Sequence, residues 1–156
     1  MKAPRGEALK GDAVASAGPF RPSFGRIASW LLAASALALG AARVWVADDA
    51  YITFRHINQL LAGNGLTYNT LEHVEGFTHP LWAVLLCGFG WLGAPISGAA
   101  VAMNLGCAAV LLAMVAWSDQ DNGPLAMALL VSCSGFIDFS TSGLETPLTM
   151  LLVYVA

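Results

Sequence analysis

Hydrophobic and polar positions fall in blocks along this chain. An apolar run from Ile27 to Ala47 comes close to the roughly 20 residues that a helix needs to span hydrocarbon. Pro80 to Trp91 forms a short apolar span, Gly98 to Trp117 a full-length one, and Leu125 to Ile137 another short one. Gly93-Ala-Pro95-Ile-Ser97 carries the Gly/Pro punctuation of a turn, and the polar stretch from Ser118 to Pro124 is suited to a new helix start. Leu148 to Ala156 opens a fifth run with no polar end, so the chain is expected to be the N-terminal part of a longer protein or a truncated product. Between the first two runs, Ala50, Phe54, Ile57 and Leu61 recur at the spacing of one helical face, while Asp49, Arg55, Asn58 and Gln59 fall elsewhere. This pattern predicts an amphipathic helix lying in the membrane interface. Gly63-Asn64-Gly65 is expected to end it, and Leu66 to Asn69 to follow as a short extended segment.

Composition settles the class. The chain is 57% hydrophobic and only 11% charged, against roughly 25% charged in an average soluble domain, which predicts a polytopic, all-α transmembrane helix bundle. Five of the seven basic residues, Lys2, Arg5, Lys10, Arg21 and Arg26, precede the first span. Residues 1–26 therefore read as a disordered cytoplasmic tail and 27–156 as the membrane domain, with the first loop facing outward because positive flanks stay inside. A cleaved signal peptide is the competing reading, since Ala36 to Ala42 offers small residues; a long run followed by further spans favours a retained anchor. Arg43, near the outer end of that span, either snorkels to the headgroups or points into a polar cavity. Cys87, Cys107 and Cys133 sit in apolar runs without metal or disulfide spacing and read as small buried hydrophobes. The net charge of −3 divides between a basic tail and an acidic loop and carries no nucleic-acid signal.

Against that background the pair Asp48-Asp49, directly after the first span, draws notice. Carboxylates at a bilayer boundary are costly to keep and point to a functional site, although acids also flank spans where the headgroup region is wet. A second polar cluster, Glu72-His73-Val74-Glu75-Gly76-Phe77-Thr78-His79, leads into Pro80-Leu81-Trp82 and returns to the same interface. Its acids and imidazoles are types that bind a divalent cation, but no spacing among them is diagnostic, so no metal is assigned. Phe77, Trp82, Trp91 and Trp117 fall at predicted boundaries, where aromatic belts form; Trp82 alone adjoins the polar cluster.

Three segments in order resemble one family. Asp48 to His56, Gly63 to Asn69 and Val74 to Trp82 are similar to the first outer loop of polyprenyl-phosphate-dependent glycosyltransferases of the GT-C fold, nearest the cell-wall arabinofuranosyltransferase branch. Ser142-Gly143-Leu144-Glu145-Thr146-Pro147-Leu148 resembles that family's Gly-Leu-Glu-Thr element, while His56 and His79 stand where the family has Tyr and Asn. The resemblance implies a bacterial inner-membrane enzyme that moves a sugar from a polyprenyl-phosphate donor to a glycan or lipid acceptor on the outer face. An acceptor hydroxyl is a poor nucleophile, so a carboxylate that takes its proton is the minimal catalyst, and Asp48 or Asp49 is that base. Arg55 or Arg43 would meet the donor phosphate, with the alternative that Arg55 neutralises an acid of its own loop. Glu75, His79, Trp82 and Glu145 are the expected substrate contacts. Alternate crossings place Glu145 on the cytoplasmic side, away from Asp48, unless one of the short apolar segments is re-entrant. Two readings outside this class stay open: a secondary transporter, disfavoured because the charge lies in a loop and no inverted repeat is visible, and an inactive remnant.

Overall fold

The fold is described from a computed structural model, covering residues 24–69, 76, 78–118 and 123–156. Among these residues the chain is helical and contains no strand. Its elements are α1 (Phe24–Ala42), α2 (Asp48–Leu61), α3 (Pro80–Trp91), α4 (Ile96–Ser118), α5 (Gly123–Ser132), α6 (Ser134–Phe139) and α7 (Thr146–Val155). The expected tail 1–26 lies outside the described residues as far as residue 23, and Phe24 to Arg26 belong to α1.

Three contacts define each end of the helix bundle. At one end the Arg26 guanidinium sits 5.8 Å from the Trp117 ring centroid, and Gly123 at the start of α5 adjoins Ser29 and the Val115 carbonyl. At the other end Trp45 Nε1 donates to the Asp138 carbonyl at 2.8 Å, Ala47 N–H to the Ser142 carbonyl at 2.8 Å, and Trp82 Nε1 to the Gly143 carbonyl at 3.0 Å. So α1, α4 and the broken α5–α6 helix each run from one end to the other. At about 1.5 Å rise per residue, the 19 residues of α1 and 23 of α4 match a hydrocarbon core of about 30 Å. These two helices are long and apolar enough to cross a membrane. On α1 the small residues Ser29, Ala33, Ala36 and Gly40 are buried, which lets the helix approach α4, α5 and α6 closely, as small residues do between membrane helices.

The short helix α3 takes a different path. Its N-terminal end lies beside Thr53 and Gly143, and Gly90 near its C-terminus faces Leu61 and Ile96. It therefore runs alongside α2 at one end of the bundle and does not cross it. That removes one crossing from the sequence-based count, so the turn carrying Glu145 returns to the end where α2 begins. The apolar face of α2 is also covered by protein: Ala50, Phe54 and Ile57 are buried with Trp82, Leu86, Ile96 and Ala100 in one core cluster. A second cluster joins α1, α4, α5 and α6 around Leu111, Leu112, Met127 and Phe136.

Two local differences from expectation have physical causes. α1 stops at Ala42 with a turn at Arg43, and the non-helical segment 44–47 that follows lets Trp45 and Ala47 hydrogen-bond across to residues 138 and 142. The span expected over Leu125–Ile137 breaks at Cys133, which has an extended backbone and an exposed side chain rather than a buried one. Large apolar side chains remain uncovered on the outside, including Trp91, Leu92 and Val153, a surface that a water-soluble monomer rarely presents.

Candidate active site

α2 starts without a side-chain cap at Ala47, and Asp48 and Asp49 occupy its first turn. Free backbone N–H groups and the helix dipole favour carboxylates at that position. Successive residues on a helix diverge by about 100°, and here the divergence separates the two acids. Asp49 lines a polar cavity of about 350 Å³ together with Thr53, Thr78, His79 and Glu145. Asp48 lines a different cavity, with Tyr51, Arg55, Asn58, Gln59 and Tyr68. Ile52 forms part of the wall of both.

The far wall of the Asp49 cavity is the turn between α6 and α7. Gly143 holds a left-handed conformation there, φ +80°, and packs so tightly that a Cβ would lie 3.1 Å from Ala50 Cβ and from Phe54 Cζ. Ser142 Oγ donates to the Phe139 carbonyl at 3.1 Å and accepts the Leu144 N–H at 3.3 Å. With the bonds from Ala47 and Trp82, the turn is tied to the α1–α2 linker and to α3. Glu145 then emerges at the head of α7 with Oε2 3.2 Å from His79 Nδ1. On the other side of that ring, Nε2 lies 3.0 Å from Thr53 Oγ1. The imidazole therefore sits between the threonine hydroxyl and the carboxylate, one ring nitrogen toward each.

The structure thus brings Asp49, His79 and Glu145 to one cavity from three separate motifs. Of the other expected site residues, those that are described do not line it. Trp82 is buried to 1% exposure and supports the Gly143 turn instead of lining the cavity. Arg55 is on the Asp48 side, with Nε donating to the Tyr68 carbonyl at 2.8 Å, Nη2 to Asn69 Oδ1 at 3.0 Å, and the guanidinium 5.1 Å from the Tyr68 ring centroid. Arg43 is exposed beyond the end of α1 and lines neither cavity. Glu75, with Glu72, His73 and Phe77, lies outside the described residues. Among the described residues no three His, Cys, Asp or Glu side chains gather closely enough to hold a metal ion. Thr53 is the contributor that sequence reasoning missed. Its signal was its place one helical turn after Asp49, on the same face.

His56 also shapes the region. It is buried, its Nδ1 donates to the Ile52 carbonyl at 2.8 Å, and its ring tilts against Tyr68 at 5.6 Å between centroids. It thereby fastens the segment after the Gly63-Asn64-Gly65 turn to α2.

Two curated proteins are similar to this chain. A terminal beta-(1→2)-arabinofuranosyltransferase of Mycobacterium tuberculosis is 36% identical over 122 residues, 69% of this chain and 20% of that protein. A protein of the same name from Corynebacterium glutamicum is 28% identical over 158 residues, 90% of this chain and 22% of its own length. No family model matches the chain, and no solved structure matches it. The uncovered apolar helices and these relatives together mark a membrane protein. The chain spans about a fifth of the length of the curated relatives it matches, and both carry the name of the arabinofuranosyltransferase branch that its loop motifs resemble.

Proposed function

We propose that this chain carries the acidic loop site of a GT-C-type glycosyltransferase of the bacterial inner membrane, which moves arabinofuranose from a polyprenyl-phosphate carrier to a cell-envelope glycan on the outer face. The observation that carries the reading is the convergence of Asp49, His79 and Glu145 on one cavity from three segments far apart in sequence. With the basic N-terminal tail inside, the end of the bundle holding that cavity faces outward.

In this reading Asp49 is the general base. Its carboxylate takes the proton of the acceptor hydroxyl as the new bond to the anomeric carbon forms; the bond from that carbon to the phosphate oxygen breaks, and the lipid phosphate leaves as an anion. A general base of this kind contributes about 10²–10⁴-fold. His79, set between Thr53 and Glu145, holds the Glu145 carboxylate toward the cavity, where it accepts hydrogen bonds from sugar hydroxyls. The apolar groove of about 490 Å³ between α2 and α3, lined by residues including Ile57, Ala83, Val84 and Trp91, suits the carrier's hydrocarbon tail. Asp49 is preferred to Asp48 because only Asp49 shares its cavity with Glu145 and His79.

The test is transfer from a radiolabelled polyprenyl-phosphate pentose in membranes carrying the protein. Asp49→Asn is expected to lose at least about a hundredfold in rate, and Asp48→Asn much less. Full transfer by Asp49→Asn would refute the assignment.

A further inference from the structure

We propose that the neighbouring cavity on the Asp48 side of α2, lined by Asp48, Tyr51, Arg55, Asn58, Gln59 and Tyr68, is a subsite for uncharged carbohydrate that holds the sugars preceding the reacting residue of the acceptor glycan. The proposal rests on the glycosyltransferase reading and adds where the acceptor lies.

The lining is that of a polyol site. It combines a carboxylate, a guanidinium and two carboxamides, planar groups that can engage neighbouring hydroxyls in pairs. Tyr51 and Tyr68 remain 55% and 37% exposed and offer apolar faces to the C–H surface of a sugar ring, with hydroxyls at their edges. Tyr51 is already oriented by an edge-on contact with Phe54, 5.5 Å between centroids at 74°. The cavity measures about 550 Å³, within the range of about 300–1,000 Å³ usual for small-ligand sites.

Charge distinguishes a sugar from an anion. Asp48 and Arg55 both line this cavity and their charges offset, so its lining carries no net charge to attract phosphate. Arg55 is also committed through two of its nitrogens to Tyr68 and Asn69, which removes much of the fork that a phosphate would need. Gln59 Oε1 accepts from Asn64 Nδ2 at 2.7 Å, so the carboxamide is held and its NH₂ is left to donate.

Position links the cavity to the chemistry. Asp48 and Asp49 are consecutive, and Ile52 borders both cavities. A glycan whose terminal hydroxyl reaches Asp49 can therefore lay its preceding residues over the first turn of α2 and into the second cavity.

The experiment titrates the full chain in detergent micelles with an uncharged linear pentofuranose tetrasaccharide, read by calorimetry and ligand-observed NMR, with inorganic phosphate as competitor. The wild type is expected to bind the tetrasaccharide without displacement by phosphate. Tyr51→Ala and Asn58→Ala, both at exposed positions, are each expected to weaken it about tenfold, the loss of roughly one good contact. Asp49→Asn is expected to retain that binding while losing transfer. Wild-type-like affinity in both cavity variants, no binding by the wild type, or displacement by phosphate would each overturn the subsite. If Asp49→Asn still transfers sugar while Tyr51→Ala has lost binding, the base assignment fails and the subsite stands.

Discussion

Gly143 is where one added methyl group should dismantle the site. Its φ of +80° is a region that costs an L-residue about 1–2 kcal/mol. A Cβ there would also lie 3.1 Å from Ala50 Cβ, 3.1 Å from Phe54 Cζ and 3.2 Å from Val46 Cγ1. Ala50 is completely buried on a helix and Phe54 is 4% exposed, so neither can yield readily, and overpacking of this kind costs about 1–3 kcal/mol. Gly143→Ala should therefore destabilise the fold by about 2–5 kcal/mol. The alternative response is for the turn to lift off α2, carrying Glu145 away from His79. Gly63 supplies the internal comparison: its φ is +81°, but a Cβ there meets nothing within 4 Å. Gly63→Ala should show the backbone contribution alone, about 1–2 kcal/mol. The assay is thermal unfolding in micelles by circular dichroism, paired with sugar transfer by the same preparations. Equal unfolding midpoints for Gly143→Ala and Gly63→Ala, with transfer retained in both, would refute the claim that close packing of this turn on α2 builds the site.

Two further outcomes follow from buried polar groups. Trp82→Phe keeps an aromatic ring but removes both the indole donor to the Gly143 carbonyl and part of a fully buried side chain, so it should lower stability by at least about 1–3 kcal/mol and reduce transfer, measured by the same two assays. Asn104 is fully buried on α4, and its amide oxygen and nitrogen find no hydrogen-bond partner among the described residues. Asn104→Leu, of similar size and apolar, should raise the unfolding midpoint, with a gain of about 1–3 kcal/mol from relieving the unpaired amide; a lowered midpoint would show that Asn104 is paired in the folded protein.

Much of the candidate site was legible along the chain because its signals are local. The helical face of Ala50, Phe54 and Ile57, the Gly63-Asn64-Gly65 stop and Pro80 at the head of α3 each follow from spacing or backbone preference within a few residues. Even the separation of Asp48 from Asp49 is implied by helical periodicity, once residues 48–61 are known to be helical. Which acid meets Glu145 is not implied, because that depends on how a turn some hundred positions later is folded back against α2.

Sequence alone therefore determined the helical blocks, the membrane character and the identity of the chemical groups, since each is set by composition or by short-range periodicity. Tertiary structure alone decided that α3 lies beside α2 instead of crossing, that Glu145 returns to the Asp49 end, and that Trp82 braces the turn rather than facing the cavity. Those outcomes depend on the hydrogen bonds from Trp45, Ala47 and Trp82 to residues 138, 142 and 143 and on the close seating of Gly143. Their partners are separated by 93 positions for Trp45 and 61 for Trp82. No local pattern encodes a contact of that range; it exists only when the helices have packed.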